Sequence, residues 1–99
     1  MNLAEFRTSL EAAEPADGLP TLLRALWLDG RGDWNGAHEV AQGCEGRDGA
    51  WVHAYLHRKE GDSSNAAYWY GQASRSPSRD ALQDEWATIA TYLLGLDRA

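Results

Sequence analysis

The chain has 99 residues, 43% of them hydrophobic and 24% charged, with a formal net charge of −6 and a pI near 4.8. That length suits one domain, residues 1–99, and the composition suits a folded globule, not a disordered segment. The nine Lys and Arg are scattered singly apart from Arg58–Lys59, which argues against nucleic acid and anionic membrane as partners.

Residues 2–13 read as a first helix, with Asn2 as its cap and Leu3, Phe6 and Leu10 at helical spacing. Pro15 sits in a turn that closes it. A second helix is expected from about Pro20, with Leu22, Leu23, Leu26 and Trp27 as its apolar face and Gly30-Arg31-Gly32 as its stop. Asp33 caps a third helix over Trp34 to Gln42, with Ala37, Val40 and Ala41 inward. The glycine-rich residues 43–49 form a loop, and Asp48 is expected to cap a fourth helix that runs to Glu60. On that helix Trp51, Ala54, Tyr55 and Arg58 share one face, and His53, His57 and Glu60 share another. Gly61 ends it, and Asp62 caps a fifth helix, Ser63 to Ser74, with Ala66, Tyr70 and Ala73 in a stripe. After a loop at 75–79, the last helix is expected from about Asp80 to Leu94, ended by Gly95. No segment alternates with period two for long. The fold class is therefore all-α, five to six antiparallel helices.

Two segments echo each other at an offset of about 29 residues: Ala25, Gly32, Asp33 and Ala37 match Ala54, Gly61, Asp62 and Ala66. In each, glycine takes the left-handed turn that closes one helix, aspartate caps the next, and alanines let the two helices approach closely. Gly32-Asp33-Trp34-Asn35-Gly36-Ala37 and Gly61-Asp62-Ser63-Ser64-Asn65-Ala66 resemble the tetratricopeptide and Sel1-like helical repeats over roughly residues 20–75. That resemblance implies tetratricopeptide-like helical hairpins. The departures are a shorter period, only two units, and His53 and His57 where the repeat family usually has large apolar residues. The stretch Trp51 to Arg58, followed by Glu60-Gly61-Asp62 and Tyr68-Trp69-Tyr70, also resembles a family of small uncharacterised bacterial proteins. That resemblance implies no activity.

The candidate chemistry lies in the middle third of the chain. His53 and His57 stand one helical turn apart, a spacing that can chelate a metal such as zinc, and His38 on the preceding helix could complete the set. Glu39, Glu60 and Asp62 are further ligand candidates. Ala54-Tyr55-Leu56 between the histidines lacks the glutamate of the H-E-x-x-H hydrolases. The plainer alternative is three histidines hydrogen-bonded within an aromatic-rich helix interface. Arg58 could clamp a carboxylate or phosphate, or pair with a cap or acidic neighbour. Of Tyr68-Trp69-Tyr70, at least one ring must be core, and the rest could line a groove with Arg58. Asn65 could orient a histidine or face solvent. Cys44 is the single cysteine, so it makes no internal disulfide, and its place after a helix C-terminus is the wrong setting for a nucleophile. Arg31-Gly32-Asp33 spells an adhesion tripeptide but reads better as a helix stop and cap.

The candidate ligand-binding residues are thus His38, His53, His57, Arg58, Asn65 and Trp69, with His38, His53 and His57 as the metal set. The leading reading is a non-catalytic module that binds a protein or a small molecule. The alternative is a metal-binding protein or small metal-dependent hydrolase. A third is a self-associating protein, a homodimer, that buries exposed tryptophan. Glu5, Arg7 and Glu11 interrupt any apolar leader, and the longest apolar run, Ala25–Leu28, is far short of the ~20 residues of a span, so a cytoplasmic location is expected.

Overall fold

The structure is a computed structural model that describes residues 1–97. It is all-α, with six helices and no strand among the described residues. These are α1 (Leu3–Ser9), α2 (Thr21–Gly30), α3 (Trp34–Gln42), α4 (Arg47–Glu60), α5 (Ser63–Gln72) and α6 (Leu82–Asp97).

Most helix ends follow local chemistry. Asn2 closes a capping box with Glu5, each side chain bonding the other's backbone amide. α1 stops at Ser9, short of the expected residue 13, because groups from α2 and the residue after it take its carbonyls. Trp27 Nε1 donates to Ser9 O at 3.0 Å, and Arg31 Nη1 donates to Leu10 O and Ala12 O at 2.8 and 2.7 Å. Asp48 does not cap α4. The helix starts two residues earlier, after Gly46 at φ 95°, and Asp48 instead accepts from the Tyr92 hydroxyl at 3.0 Å. α5 ends at Gln72, two residues before the expected Ser74, which itself holds a left-handed φ of 58°. Nor does Gly95 end α6, which continues to Asp97. The buried Leu93 and Leu94 just before it anchor the last turn, and an interior glycine costs a helix only ~1 kcal/mol.

α4 is the central element. Its residues Gly49 to His57 are all buried, and it packs against α2, α3, α5 and α6. Its entry needs glycine, since a Cβ at Gly49 would collide with the Cys44 carbonyl. Phe6 stacks on Trp86 at 5.5 Å, and Trp86 Nε1 donates to Leu26 O at 3.0 Å, which closes the core between α1, α2 and α6.

The 29-residue echo extends to individual hydrogen bonds. Gly32 N donates to Asp29 O and Asp33 N to Leu28 O, both at 2.9 Å. One repeat later Gly61 N donates to Arg58 O at 3.1 Å and Asp62 N to His57 O at 3.0 Å. Both pairs are Schellman closures around a left-handed glycine, with φ 84° at Gly32 and 92° at Gly61. Asp33 then accepts from Gly36 N, and Asp62 from Asn65 N. The paired alanines 25/54 and 37/66 are all buried, so the α2–α3 and α4–α5 hairpins close in the same way.

Among the described residues two carboxylates are buried, and both oxygens of each are engaged. Asp29 accepts from Tyr55 Oη at 2.7 Å and Lys59 Nζ at 2.9 Å. Glu85 accepts from Tyr70 Oη, Trp51 Nε1 and Arg58 Nη1. Burial, together with the partner carboxylate, pushes the Tyr55 and Tyr70 hydroxyls well above the ordinary tyrosine range, so both remain donors. Among the described residues no buried side-chain nitrogen or oxygen lacks a partner. None of the helices described is long and apolar enough to cross a membrane.

Candidate functional site

The three histidines meet where α3, α4 and α5 join. The i, i+4 spacing puts His53 and His57 on one face of α4, and the short connection at 43–46 turns the chain so that His38 on α3 faces them. Ring centroids are 4.7 Å apart for His38–His53, 5.0 Å for His38–His57 and 4.8 Å for His53–His57. One ligand nitrogen from each ring can be chosen so that all three lie within 4.8 Å of one another. His53 and His57 are buried, and His38 is half-buried.

Each ring is held from a different side. Trp34 stacks on His38 at 4.9 Å, nearly parallel, and its indole N–H donates to Leu56 O at 2.7 Å. Trp69 stacks on His53 at 4.0 Å. Glu60 Oε2 lies 2.6 Å from His57 Nδ1, which places the proton on Nδ1 in the neutral ring and leaves Nε2 as the lone-pair atom. Asn65 Nδ2 approaches that Nε2 at 3.3 Å. His38 Nε2 and His53 Nε2 are 3.0 Å apart, so one donates to the other.

Burial lowers the pKa of His53 to about 4, with His38 and His57 adding to the effect. His38 is lowered as well, first by burial and then by His57, against an opposing contribution from Glu60. Both rings are therefore neutral at pH 7, the state in which imidazole ligates.

Of the residues singled out in the sequence, His38, His53, His57, Asn65 and Trp69 come together. Glu60 joins them through His57, and Asp62 lies within ligand range of His57 and Glu60 while capping α5. Glu39 is exposed on α3. Arg58 is not part of the cluster, and it does not line a groove with the aromatic triplet. Its guanidinium bonds Glu85 and the Asp80 carbonyl, because residue 58 follows His57 by 100° around the helix. The triplet itself divides three ways: Tyr68 is 58% exposed, Trp69 covers His53, and Tyr70 is buried on Glu85. Sequence reading did not anticipate Asp29 and Glu85 as buried acceptors, nor Trp34 as the plate beneath His38. The i, i+4 spacing of Trp34 and His38 was the available signal for the latter.

Comparison with known proteins finds no match: no family model, no curated protein and no solved structure is similar to this chain.

Proposed function

We propose that the protein is a small binding module that holds a divalent transition metal through His38, His53 and His57. The observation that carries this reading is the convergence of three imidazoles from two helices, with ligand nitrogens within 4.8 Å of one another. In a tetrahedral zinc site with Zn–N bonds of ~2.0–2.1 Å, the nitrogens stand about 3.3 Å apart, so small ring rotations suffice. Neutral imidazoles suit zinc, copper and nickel, and zinc needs no particular redox setting. Glu60 supports the site as the outer carboxylate that orients a ligating histidine.

Binding is favoured over turnover. The two carboxylates nearest the rings are committed, Glu60 to His57 Nδ1 and Asp62 to the amide of Asn65. Neither is placed as a free general base. The matched glycine–aspartate closures support an assignment of residues 20–75 as tetratricopeptide-like hairpins, which present the site between consecutive helices. The free Cys44 fits a reducing, cytoplasmic compartment.

Isothermal titration with Zn²⁺ at neutral pH tests the assignment, followed by histidine NMR. One equivalent is expected to bind and to shift all three imidazoles together. His38→Ala removes a half-buried ligand without opening the core and should weaken binding by at least ~10–100-fold. Absence of stoichiometric binding, or unchanged affinity in His38→Ala, refutes the metal site.

A further inference from the structure

On the far side of α4 from the histidines lies a cavity of about 550 Å³, within the usual range for small-molecule sites. The ends of α1, α2 and α4 and the start of α6 border it, and it opens broadly to solvent. Tyr55 and Lys59 face it from α4, each two residues from a histidine and so about 200° around the helix from the metal cluster.

Its walls divide by chemistry. Leu10, Leu82 and Trp86 supply the apolar surface. At the polar end, Asp29 is 3% exposed and uses one oxygen on Tyr55 Oη and the other on Lys59 Nζ. Buried and bonded at both oxygens, this carboxylate is turned to its own partners and not to a ligand. It fixes Lys59, whose ammonium has three donors and uses one here. Arg7 stands at the rim, exposed, and its guanidinium makes no hydrogen bond or ion pair with the described residues. Two cations against one anion leave a single net positive charge beside an apolar wall, in a chain whose net charge is −6.

We propose that this cavity binds an amphipathic organic monocarboxylate, with its apolar body against Leu10, Leu82 and Trp86 and its carboxylate between Arg7 and Lys59. One excess positive charge balances one negative charge. A phosphomonoester or nucleotide would bring two or more, and part of its charge would go unmatched. The planar fork of Arg7 is suited to a carboxylate in bidentate fashion, and Lys59 adds a point charge already aimed by Asp29. The assignment is independent of the metal site and shares no side chain with it.

Octanoate is the probe, followed by titration calorimetry and by the indole N–H resonance of Trp86, whose ring lines the cavity and whose N–H donates to Leu26 O behind it. Octanoate is expected to bind with one-to-one stoichiometry and shift that resonance. 1-Octanol, of equal chain length without charge, should bind about tenfold or more weakly, in line with the loss of a charge-assisted pair. Arg7→Gln changes an exposed side chain that bonds nothing among the described residues, so the fold is retained. It should weaken octanoate about five- to tenfold and leave octanol unaffected. The proposal is overturned if octanoate fails to bind at millimolar concentration, if octanol matches it, if Arg7→Gln leaves octanoate affinity unchanged, or if inorganic phosphate displaces it at equal concentration.

Discussion

His53 shows how a buried ionisable group couples stability to pH. Its pKa is lowered to about 4 in the folded protein, while the unfolded chain titrates near the ordinary ~6.5. Between those values the unfolded state binds a proton that the folded state refuses, so folding stability falls as the pH drops from about 6.5 toward 4. The slope reaches at most about 1.4 kcal/mol per pH unit for one such group, and the lowered His38 acts in the same direction. Urea unfolding between pH 7 and 4 should show this decline, and His53→Phe should flatten it. Glu85 is the opposite case, a buried acceptor on which three donors depend. It is 2% exposed and accepts from Arg58, Tyr70 and Trp51, so Glu85→Ala leaves a half-buried guanidinium without its carboxylate and two buried donors without an acceptor. The expected cost is about 3 kcal/mol in chemical denaturation, the low end of the range for breaking a buried ion pair from one side, because the Arg58 end of the pair reaches solvent. Neither residue announced its environment in the sequence. His53 stood at a readable spacing, but Glu85 lies in a polar run, Gln83-Asp84-Glu85, where burial depends on which face α6 turns inward.

The helix ends separate what is local from what is not. Asp33 and Asp62 cap α3 and α5, so Asp33→Ala and Asp62→Ala should each cost about 0.5–2 kcal/mol. Asp48→Ala should cost less, since Asp48 makes only one exposed bond with Tyr92. Thermal melts of the three variants side by side distinguish a cap from an ordinary first-turn acid. The end of α5 offers a gain. Ser74 N donates to Gly71 O and Arg75 N to Tyr70 O, the same Schellman closure as at Gly32 and Gly61, but with serine at φ 58° in the left-handed position. Ser74→Gly relieves that conformation and should stabilise the protein by about 1 kcal/mol, raising Tm by roughly 4–8 °C. The caps at Asp33 and Asp62 were legible because the asparagine, aspartate and glycine preferences at helix ends act within four residues. The early end of α1 was not, because its carbonyls are taken by Trp27 and Arg31, about twenty residues on.

At the scale of the molecule, α4 is the partition. One face carries the histidines toward α3 and α5, and another carries Tyr55 and Lys59 toward the cavity beside α1 and α6. A metal that binds only the folded protein must raise its stability by mass action. Zn²⁺ at a hundredfold excess over its Kd should add about 2.7 kcal/mol to the unfolding free energy, a gain that His38→Ala cuts to about 1.4 kcal/mol or less in a denaturant titration. Periodicity, glycine turns and aspartate caps determined the helical class, the α2–α3 and α4–α5 hairpins and the pairing of His53 with His57, because each depends on neighbours within a turn or two of chain. Tertiary packing alone decided that Arg58 faces Glu85 and not the histidines, that Trp34 and Trp69 clamp His38 and His53, and that Asp29 and Lys59 open onto a cavity. Those contacts join residues far apart in the chain, and they arise from the angle at which whole helices cross, which no single stretch of sequence encodes.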